Sequence, residues 1–304
     1  MQYWILAFYS VTPLEQPEKA VLEWKEFFAS RDLMGRIYLS LQGINAQMSA
    51  SEEAAKEFLE WLESRYGDLG VKIHQSDRHV FPKKTIKYRK QLVALDRPVD
   101  LSNTGRHVSA AEWREMLEKR DEETIVLDVR NDYEWKVGHF EGSELPALSE
   151  FRQFPKWVSE LKEKRNPKKT KVMMCCTGGI RCEFFSALMK EEGFEDVVQL
   201  KGGVVQYGIE EGNRHWKGKL FVFDDRLVVP ISQDEAPPIG VCIGCGTLVD
   251  VYYNCANSDC NRLYVSCGAC HEEKQGCCSK ECRCAPRLRA FKSDPTPYRK
   301  LCAH

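Results

Sequence analysis

Apolar and polar positions change period several times along the first 95 residues. Residues 4–11 form an apolar run of strand length. Residues 18–30 shift to helical spacing, with Val21, Trp24 and Phe28 on one face. Residues 36–41 and 44–48 read as paired strands around Gly43. Ser49 followed by Glu52 predicts a capping box, in which each side chain satisfies the other's free backbone donor. The helix after it carries Ala55, Phe58, Leu59 and Leu62 on one face. A strand at 71–74 completes the order βαββαβ, that of a ferredoxin-like fold. Residues 97–105 read as a linker.

From residue 107 strands and helices alternate. Ser109 with Glu112 predicts a second capping box and a helix through Leu117. Residues 124–129 read as a buried strand and residues 154–163 as a helix. A strand at 171–175 leads into Cys176-Thr177-Gly178-Gly179-Ile180-Arg181, and a helix runs from Cys182 to about residue 192. A strand at 197–200 turns through Lys201-Gly202-Gly203 into another helix. This alternation predicts an α/β domain whose parallel sheet is covered on both faces. Beyond residue 237 long apolar runs stop, and the chain ends in a basic tail that includes Arg287, Arg289, Lys292, Arg299 and Lys300. Three domains are expected, spanning 1–95, 107–226 and 237–304.

Composition narrows the function classes. The chain has 304 residues, a formal net charge of −1, 43% hydrophobic and 29% charged residues. These values exclude collagen-like, coiled-coil and mostly disordered chains. No apolar stretch approaches the roughly 20 residues a membrane-spanning helix needs, and no basic region precedes the apolar start as in a secretory signal. Near-zero charge gives no overall attraction to nucleic acid, so any such binding must use local patches. The 14 cysteines are the informative number, because 11 of them lie at or after Cys242 and many come as CxxC pairs. In a chain without an export signal this predicts a reducing, cytoplasmic compartment and metal ligation rather than disulfides.

A cysteine between a buried strand and a helix has a chemical use. The thiolate is the reactive form, and a helix N-terminus lowers its pKa. Gly178 and Gly179 let the backbone curl around the sulfur, and Arg181 adds a fixed positive charge, which together make an anion cradle. Counted from Cys176 to Arg181, the loop has six residues and suits a persulfide sulfur. Counted from Cys175, it reads Cys-x5-Arg, the pattern of cysteine phosphatases. Cys176 is preferred, since Cys175 continues the apolar strand and no phosphatase general acid is evident. Cys182 is either a resolving partner for an oxidised Cys176 or a small buried helix residue.

Four cysteine pairs follow: Cys242/Cys245, Cys255/Cys260, Cys267/Cys270 and Cys278/Cys282, with Cys277 able to replace Cys278. Eight thiolates suit two tetrahedral structural zinc ions, whose binding would supply folding energy to a segment too small for much core. Alternating pairing is expected, with Cys242, Cys245, Cys267 and Cys270 at one ion and Cys255, Cys260, Cys278 and Cys282 at the other. Sequential pairing and an iron–sulfur cluster are the alternatives. Separately, Lys83, Lys84, Lys87, Arg89 and Lys90 surround Tyr88 with no acid among them. They are either a phosphate-tracking stretch or a solvated edge strand.

Leu127-Asp128-Val129-Arg130, Tyr133-Glu134, Gly138-His139-Phe140-Glu141-Gly142, the loop 176–181 and Leu200-Lys201-Gly202-Gly203 together resemble a rhodanese domain. The octapeptide from Cys176 to Glu183, then Trp216-Lys217-Gly218, Phe221-Val222-Phe223-Asp224-Asp225-Arg226 and the eight-cysteine region resemble the bacterial rhodanese-like tRNA uridine hydroxylase family. The likeness covers nearly the whole chain, including a ferredoxin- or acylphosphatase-like start. It departs at the doubled Cys175-Cys176 and at Ser143-Glu144-Leu145. The resemblance implies oxygen-dependent hydroxylation of the wobble uridine of tRNA to 5-hydroxyuridine. It places the family's essential cysteine on Cys176, with tRNA as partner and molecular oxygen as co-substrate. No membrane or DNA partner is implied, and no protein partner is identifiable. A thiosulfate sulfurtransferase or persulfide carrier, and a non-enzymatic zinc adaptor, are the competing readings.

Overall fold

The computed structural model describes residues 2–295 and residue 297, and the chain divides into two compact units, Met1–Thr104 and Gly105–His304. The first unit contains β1 (Tyr3–Ser10), α1 (Pro17–Ala29), β2 (Leu33–Ser40), β3 (Gly43–Ser51), α2 (Glu52–Tyr66), β4 (Lys72–Ser76) and β5 (Lys84–Tyr88). Its sheet runs β4-β1-β3-β2-β5. The first four strands pair antiparallel in ferredoxin-like order, and β5 adds itself parallel to β2. One face of each helix closes on the sheet, burying Trp24, Phe28 and Phe58 against Leu6, Ile37 and Met48. Leu59 is only half-buried at the rim.

The first capping box is not formed as expected. Ser49 lies inside β3, where its hydroxyl accepts from the Val80 N–H (3.2 Å) and pairs with His79 Nδ1 (2.9 Å). The strand continues because β1 pairs with it as far as Tyr3 opposite Ser51. Ser51 therefore caps α2, accepting from the Ala54 N–H.

The second unit opens with β6 (Arg106–Val108), α3 (Ala110–Glu118), β7 (Thr124–Asp128), α4 (Asp132–Trp135), β8 (Gly138–Phe140), α5 (Phe154–Lys164), β9 (Lys171–Cys175), α6 (Ile180–Glu191), β10 (Asp196–Leu200) and α7 (Gly203–Glu211). Ser109 caps α3 as expected, accepting from the Glu112 N–H at 3.2 Å. The sheet order is β6-β10-β9-β7, with every neighbour parallel. Parallel strands buried on both faces need apolar side chains throughout, and Val172, Met173, Met174 and Cys175 of β9 are all fully buried. β9 is an interior strand, so the loop leaving its C-terminal end emerges over the middle of the sheet edge where ligands bind in such folds.

β11 (Trp216–Gly218), the hairpins β12 (Leu220–Phe221)/β13 (Val228–Val229) and β14 (Tyr252–Asn254)/β15 (Leu263–Val265), α8 (Gly268–Glu273) and α9 (Lys280–Arg283) complete the unit. β11 pairs with β8. The Cys-rich segment shares a small core with the parallel-sheet region, made by Val137, Phe221, Leu227, Tyr252 and Val265. Lys219 pairs with Asp250 at 2.6 Å, and the Tyr252 hydroxyl donates to the Tyr133 carbonyl. Among the described residues no helix is long and apolar enough to cross a membrane.

Candidate active site and metal centres

The loop 176–179 joins β9 to α6. Its path depends on Gly203 at the start of α7, whose φ is +67° and where a Cβ would come within 2.5 Å of the Cys176 carbonyl oxygen and 2.6 Å of that of Thr177. That close approach lets the Val204 and Val205 N–H groups donate to those carbonyls, at 2.9 and 3.1 Å. With two loop carbonyls held by α7, the chain turns at Gly179, where φ is +114°. The Gly179 N–H then donates to Cys176 Sγ at 3.1 Å.

Cys176 is wholly buried, and burial alone would raise its pKa. The hydrogen bond from the Cys182 thiol, the Arg181 charge and the N–H groups of Cys182 and Gly179 outweigh it and bring the thiol down to about 5. Cys175 differs sharply. It ends β9 inside the core, and burial together with the Asp128 charge pushes its thiol well above the ordinary range. Cys182 is also raised, by burial and by donating to the Cys176 sulfur. Of three adjacent thiols, one is ionised at neutral pH.

Arg181 acts on that sulfur by charge, because its hydrogen bonds go elsewhere. Its Nη1 and Nη2 form a bidentate pair with Glu134, at 2.6 and 2.8 Å, and Nη2 also reaches Thr177 Oγ1 at 3.0 Å. Thr177 Oγ1 in turn donates to Glu134 at 3.2 Å. The guanidinium lies against the rings of Phe151 and Phe223. Glu134 is fully buried, and its carboxylate also accepts from the Asn131 N–H at the start of α4. It thus ties a helix terminus, the loop and the arginine into one network, a role that its place in the sequence does not announce. Its partner is 47 positions away, and the only local signal is the Asn131-x-x-Glu134 capping spacing. Asp128 and Arg130 form a separate buried pair at the end of β7.

The sulfur is covered rather than open to solvent: Cys176 has no exposed surface, while Thr177, Gly178 and Ile180 of the same loop are half-buried. A cleft lined by Glu112, Glu115, Lys119, Lys171 and Asp196 lies at the opposite, N-terminal edge of the strands, away from this chemistry.

The eight cysteine sulfurs gather in the alternating arrangement. Cys242, Cys245, Cys267 and Cys270 form one group and Cys255, Cys260, Cys278 and Cys282 the other, all sulfurs of a group within 4.8 Å of one another. The Cys242–Cys267, Cys245–Cys267, Cys260–Cys278 and Cys278–Cys282 separations are 3.7–3.8 Å. A tetrahedral ion with metal–sulfur bonds of about 2.3 Å requires edges of about 3.8 Å, so both groups fit a four-coordinate thiophilic metal. Backbone N–H groups of Gly244 and Cys267 donate to Cys242, and that of Cys278 to Cys255. With four sulfurs already converging, neither group leaves an open position for substrate. Cys277 is buried with its thiol donating to the Gln275 carbonyl, Cys284 is exposed, and Cys302 lies outside the described residues.

Comparison with known proteins places this geometry. The UPF0176 acylphosphatase-like domain matches residues 3–92, the rhodanese-like domain residues 109–210, and the rhodanese C-terminal family residues 217–283. The tRNA uridine(34) hydroxylase of Protochlamydia amoebophila is 50% identical over 98% of this chain and 94% of its own length. That of Chlamydia abortus is 50% identical over 95% and 89%. The chain belongs to the tRNA uridine(34) hydroxylase family. A solved rhodanese-like domain from Anabaena sp. is 20% identical over 37% of this chain and 78% of its own, with a TM-score of 0.31.

In this family member the basic run lies on β5, an edge strand of the first unit. Lys83, Lys87, Arg89 and Lys90 are exposed, and Arg89 lies over the Tyr38 ring. Lys84 is used differently. Its ammonium donates to the carbonyls of Phe28 (2.5 Å), Ala29 (3.3 Å) and Arg31 (2.8 Å) at the C-terminus of α1, where a cation is favoured. In the basic tail, Arg287 pairs with Asp259 and Arg289 donates to Asn261. Lys292 pairs with Asp294, while Arg299 and Lys300 lie outside the described residues.

Proposed function

We propose that this chain hydroxylates C5 of the wobble uridine of tRNA, with molecular oxygen as co-substrate and Cys176 as the nucleophile, in the cytoplasm. The observation that carries the reading is a thiol held near pKa 5 in a cradle of N–H donors and positive charge, in a chain matched over nearly its full length by tRNA uridine(34) hydroxylases. Uracil C5 is a weak nucleophile. Addition of the Cys176 thiolate to C6 makes an enolate and raises electron density at C5, where oxygen must arrive. Glu134 and Thr177 hold Arg181 beside the sulfur so that it remains an anion until the base is in place. Because Cys176 has no exposed surface, residues around the sulfur must shift for the base to reach it. The two sulfur groups would each hold a zinc ion in a structural role, and Lys83, Lys87, Arg89 and Lys90 would contact tRNA phosphates.

The test is nucleoside mass spectrometry of tRNA from a deletion strain complemented with wild type or Cys176→Ser. The reading expects 5-hydroxyuridine-derived nucleosides only with wild type. Their presence at equal levels with the variant would overturn it. The six-residue loop from Cys176 to Arg181 also suits a persulfide. A thiosulfate sulfurtransferase would instead release thiocyanate from cyanide and leave tRNA nucleosides unchanged.

A further inference from the structure

Hydroxylation by dioxygen leaves an electron account open. Dioxygen accepts four electrons in becoming one hydroxyl and one water, and the C5–H bond supplies two. The other two need a source. Beneath the loop, Cys182 is fully buried on the first turn of α6 and hydrogen-bonded to the sulfur of Cys176. Its hydrogen bond helps hold Cys176 as a thiolate, and the same contact places a second thiol where it can give up electrons.

We propose that Cys182 and Cys176 together supply those two electrons, so that each turnover ends with a Cys176–Cys182 disulfide. The inference rests on the hydroxylase reading above. Cys176 adds to C6, and the resulting enolate carbon takes up dioxygen, giving a hydroperoxide at C5 once protonated. The Cys182 sulfur attacks the distal oxygen. The O–O bond breaks, the oxygen left on C5 takes the thiol proton to become the hydroxyl, and Cys182 becomes a sulfenic acid. Loss of the C5 proton expels Cys176 as thiolate and restores the uracil double bond. That thiolate attacks the sulfenic sulfur, forming the disulfide and releasing water. The sum is uridine plus dioxygen plus two thiols giving 5-hydroxyuridine, water and one disulfide. An external dithiol must then reduce the pair before the next cycle. The contact suits the role, because the thiolate that resolves the sulfenic acid is already beside it.

The experiment is a single turnover with metal-loaded enzyme, reduced, desalted and mixed with excess tRNA in aerated buffer without reductant. Product is counted by nucleoside mass spectrometry, and thiols by differential alkylation and peptide mass spectrometry. The proposal expects one 5-hydroxyuridine per chain, an equal amount of Cys176–Cys182 disulfide, and renewed turnover on adding dithiothreitol. In Cys182→Ser and Cys182→Ala, matched to wild type in metal content and circular dichroism, the reductant-free burst should fall about tenfold. Many turnovers by wild type without reductant would overturn the proposal, as would a full burst with both thiols still reduced. A full burst in both variants would do the same. Failure of wild type to form product even with dithiothreitol would instead remove the hydroxylase reading, and this inference with it.

Discussion

The loop at Cys176 and the Cys-rich segment solve opposite problems with the same atom. Both place sulfur against backbone N–H groups, at 3.1 Å from Gly179 to Cys176 and at 3.3 Å from Cys267 to Cys242. Around Cys176 the other charges are arranged in advance: Arg181 is fixed by Glu134, and the neighbouring thiols Cys175 and Cys182 are kept neutral by burial. One anion is therefore compensated without being bound to a metal, which is what the proposed nucleophile requires. In the Cys-rich segment four sulfurs converge on one point in each group. Four anions at such separations repel strongly unless a metal ion stands between them. Whether a cysteine is a reagent or a ligand thus depends on how many thiolates share the site and on what neutralises them.

The sharpest break of that contrast is Cys176→Ser. It should lower hydroxylation at least about a thousandfold, while the metal content stays that of wild type by elemental analysis. Removing the metal with a strong chelator attacks the other side. It should unfold the segment around β14, β15 and α8, seen as accelerated proteolysis there, because a metal held by the two sulfur groups would supply much of its folding energy. Glu134→Gln should be next in size. Breaking a buried ion pair by changing one partner costs about 3–5 kcal/mol, read as a lower denaturant midpoint, and the Arg181 freed by it should cut kcat more than it changes KM.

Two smaller effects sharpen the reading of the first unit. Lys87→Glu or Arg89→Glu should weaken tRNA binding and flatten its salt dependence by roughly one unit of slope for each phosphate no longer neutralised. Lys84→Met should instead lower stability and leave that slope alone, since its ammonium is already bonded to the carboxyl end of α1. Equal salt slopes for wild type, Lys87→Glu and Arg89→Glu would return the whole run to a solvated edge.

What was legible in the sequence was mainly local. Periodicity located many of the strands and helices, and their alternation from residue 107 onward supported the parallel arrangement. The ferredoxin-like order also followed from element succession, but the pairing of β5 with β2 did not, since a five-residue basic strand says nothing about which edge it joins. Ser49 looked like a helix cap because Ser-x-x-Glu is a local pattern. The extended pairing of β3 with β1 overrode it. The loop at Cys176 was readable because strand, glycines and arginine are contiguous. Glu134 stood out only as part of the Tyr133-Glu134 motif, and its pairing with Arg181 did not, because the fold alone brings the two together. Lys84 carried the same ambiguity, since an ammonium written beside other cations does not show that a helix end already holds it. Cysteine spacing identified the pairs, while their alternation was an expectation that only the three-dimensional gathering of sulfurs could test.

All of the proposed chemistry depends on Cys176 being an anion at neutral pH. Its lowered pKa means that reactivity should rise about tenfold per pH unit on approaching about 5 from below and then level off. The most direct measurement is the difference in thiolate ultraviolet absorbance between metal-loaded wild type and Cys176→Ser as pH is varied. A single titration with a midpoint near 5 is the predicted result. A midpoint at the ordinary thiol value of about 8.5 would contradict the account.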